Sequence, residues 1–202
     1  MRISQADQNP ARTALKHLTQ GKYYTDRSKE VVAKAELAMD DYVGPAMNIR
    51  NDNGDRSMVH QGRELSVKLR KGDRYLGRAE VNQSAYNNAL AKADQFLGQA
   101  VKQSADDEKA KLSQILQELR TLSADTRVEE QATGLRKAFS EEGRPRLEAV
   151  ENDQPGRDVS EHGKPIWDLF ETSLVVMEQT GRQLESEQQT LESLIGRLTA
   201  IS

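Results

Sequence analysis

Cysteine is absent from the 202 residues. That excludes a disulfide framework, a thiolate metal site and a cysteine nucleophile. Large aromatic anchors are scarce, with one Trp, five Tyr and three Phe. Hydrophobic residues reach 36% and charged residues 30%, against roughly 45–50% and about 25% in an ordinary soluble domain. A thin, regular helical core fits this better than a deep enzyme core. No apolar run exceeds the four residues Leu174-Val175-Val176-Met177, far below the ~18 that a membrane helix needs. Residues 1–13 lack the apolar stretch of a cleavable signal peptide and carry Ser, Gln, Asn and Asp instead. Ordinary polar termini begin this way, and so do some signal-less bacterial export substrates. The expected address is the cytoplasm, or export by a route without a cleavable signal.

What is present is charge, unevenly placed. The formal net charge is −3. Residues 1–103 hold 17 Lys+Arg against 12 Asp+Glu, and residues 104–202 hold 12 against 20. A basic first half and an acidic second half imply an electrostatic partner for one of them, or attraction between them in the fold.

Hydrophobic spacing then divides the chain. Residues 1–25 read as a weakly ordered segment with a short helix from Pro10 to Thr19, ended by Gly21. A helix is expected from about Arg27 to Val43, with Val31, Ala35, Ala38, Met39 and Tyr42 on one stripe, stopped by Gly44-Pro45. Asn51-Asp52-Asn53-Gly54-Asp55 is dense turn chemistry. Leu65, Val67 and Leu69 then alternate with polar residues, Lys71-Gly72-Asp73 reads as a turn, and alternation resumes through Tyr75, Gly77, Ala79 and Val81. Period two predicts a β-hairpin at about 63–81, with Ser57–His60 as a third short strand. Helices are expected at 84–101, 106–122 and, capped by Asp125, to Phe139, with Leu112, Ile115, Leu116, Leu119 and Leu122 as the clearest middle stripe. Residues 141–164, with two Pro and three Gly, read as a linker or loop with room for a short helix near Arg146–Glu151.

The last segment is the most regular. Pro165 suits a first helical turn. From Trp167 as heptad position a, the d positions are Phe170, Met177, Leu184, Leu191 and Leu198, and the a positions are Trp167, Leu174, Gly181, Gln188 and Ile195. A helix over 165–200 would be roughly 54 Å long, and the 3.5-residue period is a helix-pairing signature. The expected fold is mainly α: an elongated bundle of about five helices, with the small hairpin inserted in a helical domain over 26–140. A long C-terminal helix over 165–202 packs on that bundle or on a partner.

Chemical motifs are weak. Gly156 to Lys164 has six residues between its glycines, and Pro165 follows the lysine, so it is no phosphate loop. His17, His60 and His162 lie in different segments without helical metal-ligand spacing. Acidic doublets such as Asp40-Asp41 and Glu141-Glu142 diverge by about 100° on a helix. No catalytic residue, cofactor or metal site is expected, and no enzyme. The patch that carries a functional expectation is basic. Residues 56–78 hold seven cations against Glu64 and Asp73, and Arg63, Lys68, Arg70, Lys71, Arg74 and Arg78 are the candidate partner-binding residues. The seam Trp167, Phe170, Leu174, Met177, Leu184, Leu191, Ile195 and Leu198 is the second candidate surface. The expected function is a non-enzymatic protein–protein interaction module, with a bacterial exported or virulence-associated role (effector, chaperone or secretion-apparatus component) as its setting. The partner would be another protein or a second copy. The alternative is a nucleic-acid-associated protein using residues 56–78; pI 5.7 speaks against it.

Overall fold

A computed structural model describes residues 9–201. They form seven α-helices: α1 Pro10–Met39, α2 Val43–Arg50, α3 Val59–Gln103, α4 Asp106–Ser123, α5 Arg127–Ala138, α6 Arg144–Glu151 and α7 Gly163–Ile201. A π-helical turn, Phe139–Gly143, joins α5 to α6, and a 3-10 turn, Ser160–His162, leads into α7. The chain divides into two compact units. Unit 1 comprises Met1–Lys29, Val81–Val128 and Arg182–Ser202; unit 2 comprises Glu30–Glu80 and Glu129–Gly181.

The mainly helical class holds, but the hairpin at 63–81 is overturned. No strand occurs among the described residues, and 63–81 lies inside the 45-residue α3. The buried residues of α3 explain why. Gly62, Leu65, Leu69, Gly72, Leu76, Ala79, Gln83, Tyr86, Leu90, Ala93, Leu97 and Ala100 follow each other at strict alternating steps of three and four. Gly62, Gly72 and Gln83 belong to this row without being large and apolar, so they hid it. The period-two reading rested on Val67, which is 42% exposed. Residues 63–71 are also mostly good helix formers, chiefly Arg, Lys, Leu and Glu.

The same seven-residue period runs through α1, where Ala11, Ala14, Leu18, Gly21, Thr25, Ser28, Val32, Ala35 and Met39 are buried. Pro10–Thr19 and the helix expected from Arg27 are therefore parts of one helix, which ends at Met39 rather than Val43. Residues 1–8 of the weakly ordered N-terminal segment lie outside the described residues, and 10–25 are helical. Gly21 does not end the helix, because it is buried against α3: a Cβ there would lie 3.2 Å from Leu90 Cδ2. Asn9 starts α1, its Oδ1 accepting the Ala11 N–H at 2.9 Å with Pro10 next in the chain. The helix ends where Asp41 turns to φ 57°, and Pro45 sits in the first turn of α2 rather than acting as a stop.

In α7 the expected d row, Phe170, Met177, Leu184, Leu191 and Leu198, is fully buried. The expected a row is not: Trp167, Leu174, Gly181, Gln188 and Ile195 are only half-buried. The second inward row is Ile166, Ser173, Thr180, Glu187 and Leu194, one residue earlier in each heptad.

Unit 1 packs α4 and parts of α1, α3 and α7 around Leu18, Leu90, Leu97, Ile115, Leu119 and Leu194. In unit 2, Tyr42 stacks on Phe170 and meets Trp167 edge-on, with ring centroids 5.4 Å apart in both pairs. The expected linker 141–164 carries the π turn, α6 and the 3-10 turn, and it buries Leu147, Val150 and Val159. Two buried carboxylates stitch its loop to the turn at 51–58. Asp52 Oδ2 accepts the Val159 N–H at 2.9 Å and Asp153 Oδ2 accepts the Met58 N–H at 2.8 Å. Loop order here comes from charge-assisted bonds to backbone donors, since apolar residues are few.

Candidate functional site

The basic residues of 56–78 ride on a helix, and the helix sorts them. Lys68 is half-buried, and its Nζ donates to the Asp40 carbonyl at the end of α1, at 2.7 Å. A cation on the last carbonyls of a helix is a capping contact, so Lys68 is structural. Arg70 Nε donates to the Ser66 carbonyl of its own helix at 3.3 Å. The Arg78 guanidinium lies over the Tyr75 ring, 5.8 Å from its centroid. Arg63, Lys71 and Arg74 are exposed and form no ion pair among the described residues. Arg70, Arg74 and Arg78 follow at steps of four and therefore share one face.

The acids of the same stretch point elsewhere. Asp73 accepts from Arg136 Nε at 2.9 Å and from Arg144 Nη2 at 2.7 Å, and Glu80 takes the other arm of Arg136 and the Thr133 hydroxyl. Both carboxylates are thus engaged with residues of α5 and α6 in unit 2. They leave a face of α3 that carries Lys71, Arg74 and Arg78, which lie about 100° or more around the helix from Asp73 and have no acidic neighbour on α3.

That face borders α1. Lys34, Leu37 and Ala38 of α1 and Lys71, Arg74 and Tyr75 of α3 line a groove of about 300 Å³. Leu37 stands 76% exposed among these cations. Lys34 is paired with Glu30 at 2.6 Å. Of the expected site residues, the structure brings Lys71 and Arg74 into this groove, while Arg70 lines a separate hollow with Arg144, Glu148 and Glu151 of α6. Sequence reasoning missed Lys34 and Leu37. Leu37 falls outside the stripe expected for that helix, but so does Val32, which is buried, so spacing alone does not single Leu37 out.

The second expected surface, the α7 seam, is used inside the chain. Phe170, Met177, Leu184, Leu191 and Leu198 are all 0% exposed, and Trp167, Leu174 and Ile195 are half covered. Among the described residues no cluster of three or more His, Cys, Asp or Glu side chains is placed to hold a metal ion, and no helix is long and apolar enough to cross a membrane. No family model, no curated protein and no solved structure matches the chain.

Proposed function

We propose that this protein is a non-enzymatic interaction module that docks an acidic protein segment through the basic face of α3, with Leu37 as the apolar contact. The observation that carries the reading is the groove itself: an exposed leucine beside two unpaired cations, Lys71 and Arg74. Exposed single leucines are ordinary. One set among cations suits an acidic segment that also brings an apolar anchor. Repulsion supports the same reading. Arg70, Arg74 and Arg78 repel along α3 by a few tenths of a kcal/mol per pair, which a negative partner would offset.

Unit 2 as a whole carries 15 Lys+Arg against 21 Asp+Glu. A long polyanion such as nucleic acid would meet that net negative field. A short acidic segment feels mainly the local cations, because charges beyond about 8–10 Å are screened at physiological salt. This favours protein over nucleic acid.

The test is capture of the full-length protein's partner from cells that express it natively, followed by titration of the purified partner. Binding should weaken by about tenfold or more in Leu37→Glu and in the double variant K71E/R74E, and also as salt rises from about 50 to about 300 mM. Equal affinity for wild type and both variants, or capture of nucleic acid alone, would overturn the reading. The partner's identity also decides between a cytoplasmic setting and an exported one.

A further inference from the structure

Glu187 occupies an inward position of α7, between Leu184 and Leu191 on the buried rows, and is only 2% exposed. Each element packed there contributes one or more polar groups. From α3 comes Tyr86, from the turn between α4 and α5 comes Asp125, and from the start of α5 comes Arg127. From α1 comes Ser28. The ion pairs Lys29–Glu185 and Lys22–Glu192, both at 3.3 Å, run α1 antiparallel to α7 and put the buried Ser28 opposite Ser186, next to Glu187. From α7 itself comes Gln183.

None of these gives Glu187 a cation. The Arg127 guanidinium is held by Asp125 through Nε at 2.9 Å and Nη2 at 2.5 Å. Lys22 and Lys29 are engaged at the surface. Gln183 Nε2 donates to Asp125 Oδ2 at 2.8 Å and reaches Glu187 Oε1 at 3.4 Å, so one amide links two carboxyl groups. Three buried oxygens of this layer have no aligned hydrogen-bond partner: Ser28 Oγ, the Tyr86 hydroxyl and Glu187 Oε2. A buried carboxylate with one long amide donor and only the Tyr86 hydroxyl beside it, and no cation of its own, is badly solvated in such a place. A neutral carboxyl has a proton to offer to these unpartnered oxygens.

We propose that unit 1 contains a proton latch, in which a protonated Glu187 closes the packing of α7 on α1 and α3 and loss of that proton loosens it around the Ser28–Tyr86–Glu187 layer. The latch does not depend on the basic face in unit 2. Burial is the main cause that lifts the Glu187 carboxyl from 4.5 to about 7; Asp125 adds to the rise, while Gln183, Arg127 and the Tyr86 hydroxyl oppose it without cancelling it. Burial also raises the Tyr86 phenol, with the Glu187 charge adding to it, so Tyr86 keeps its proton throughout. Asp125 stays ionised, because its bonds with Arg127 hold it below the usual range. Ionising Glu187 therefore sets a second negative charge across Gln183 from the first. A carboxyl whose folded pKa lies above its unfolded one adds stability that is complete below about 4.5 and is lost as pH rises through about 7.

The test uses hydrogen–deuterium exchange on the full chain at about pH 5.5 and about pH 8.5, corrected for intrinsic rates, for wild type and Glu187→Gln. Between the two conditions, wild-type amides near residues 83–90 and 184–191 should lose about tenfold or more protection relative to E187Q. In parallel, the Glu187 side-chain carboxyl of wild type, followed by carbon-13 NMR, should titrate near neutrality. Equal loss of protection in both proteins, or a Glu187 that titrates with the ordinary carboxylates, would overturn the latch. If E187Q does not fold, the wild-type titration decides alone.

Discussion

A single missing Cβ decides how close α2 can lie to α7. Gly163 opens α7 so tightly against Arg50 that a Cβ would overlap that residue's backbone N and Cα. Backbone cannot rotate aside as a side-chain tip can, so Gly163→Ala should cost about 1–3 kcal/mol, read as a lower urea midpoint at unchanged slope. Gly134 and Gly196 are helical, exposed and have nothing within 4 Å of an added Cβ. Alanine at either should add about 0.5–1 kcal/mol. The same chemical change thus carries opposite signs, set by what lies across from it. Nothing in the sequence separates these glycines, because the opposing atoms come from elsewhere in the chain. Leu37 is a like case: the stripe expected for its helix left out both Leu37 and Val32, and only the packing exposes the first and buries the second.

At the scale of the element, α3 shows how a pattern can be read in the wrong period. Leu65, Val67 and Leu69 fit period two over five residues, while the true row runs over the whole helix through Gly72 and Gln83. A longer window weighted for small residues would have found it. Asp73, which seemed a turn residue beside Gly72, is instead a clamp whose side chain is 17% exposed and meets both Arg136 and Arg144. Asp73→Ala should lower stability by about 1 kcal/mol, and a double-mutant cycle with Arg136→Ala should give a coupling of about 0.5 kcal/mol, since solvent reaches the arginine side. A coupling near zero would mean that the pair holds nothing. In α7 the error was one of register. The d row was legible, but its partner row carries Ser173, Thr180 and Glu187, and polar residues are not what an apolar count looks for.

For the molecule as a whole, folding regroups the charge. The basic first half and acidic second half of the sequence become a unit 1 with 14 Lys+Arg against 11 Asp+Glu and a unit 2 with 15 against 21. The stability of the whole chain should peak at about pH 4.5 to 5 in a series of thermal melts, where Glu118 and Asp125 contribute in full and Glu187 still keeps its proton. On the acid side, Glu118 is held low by its hydrogen bonds to Arg197, and Asp125 by those to Arg127. Their contributions are complete above their unfolded values of 4.5 and 3.8 and are lost as pH falls through the depressed folded values. On the alkaline side the loss belongs to Glu187, and E187Q should keep the acid limb while losing the alkaline one.

The sequence by itself determined that the chain is helical, that its core is thin and that residues 165–200 form one long helix. These follow from spacing and composition, which are local properties. It also placed a basic cluster at 63–78. Only the tertiary structure decided that this cluster lies on a helix, that Asp73 and Glu80 face away from it, and that Lys34 and Leu37 complete its groove. It alone placed Glu187 inside. Each of these depends on which residue of a distant segment stands opposite, and spacing along one helix carries no information about the helix across from it.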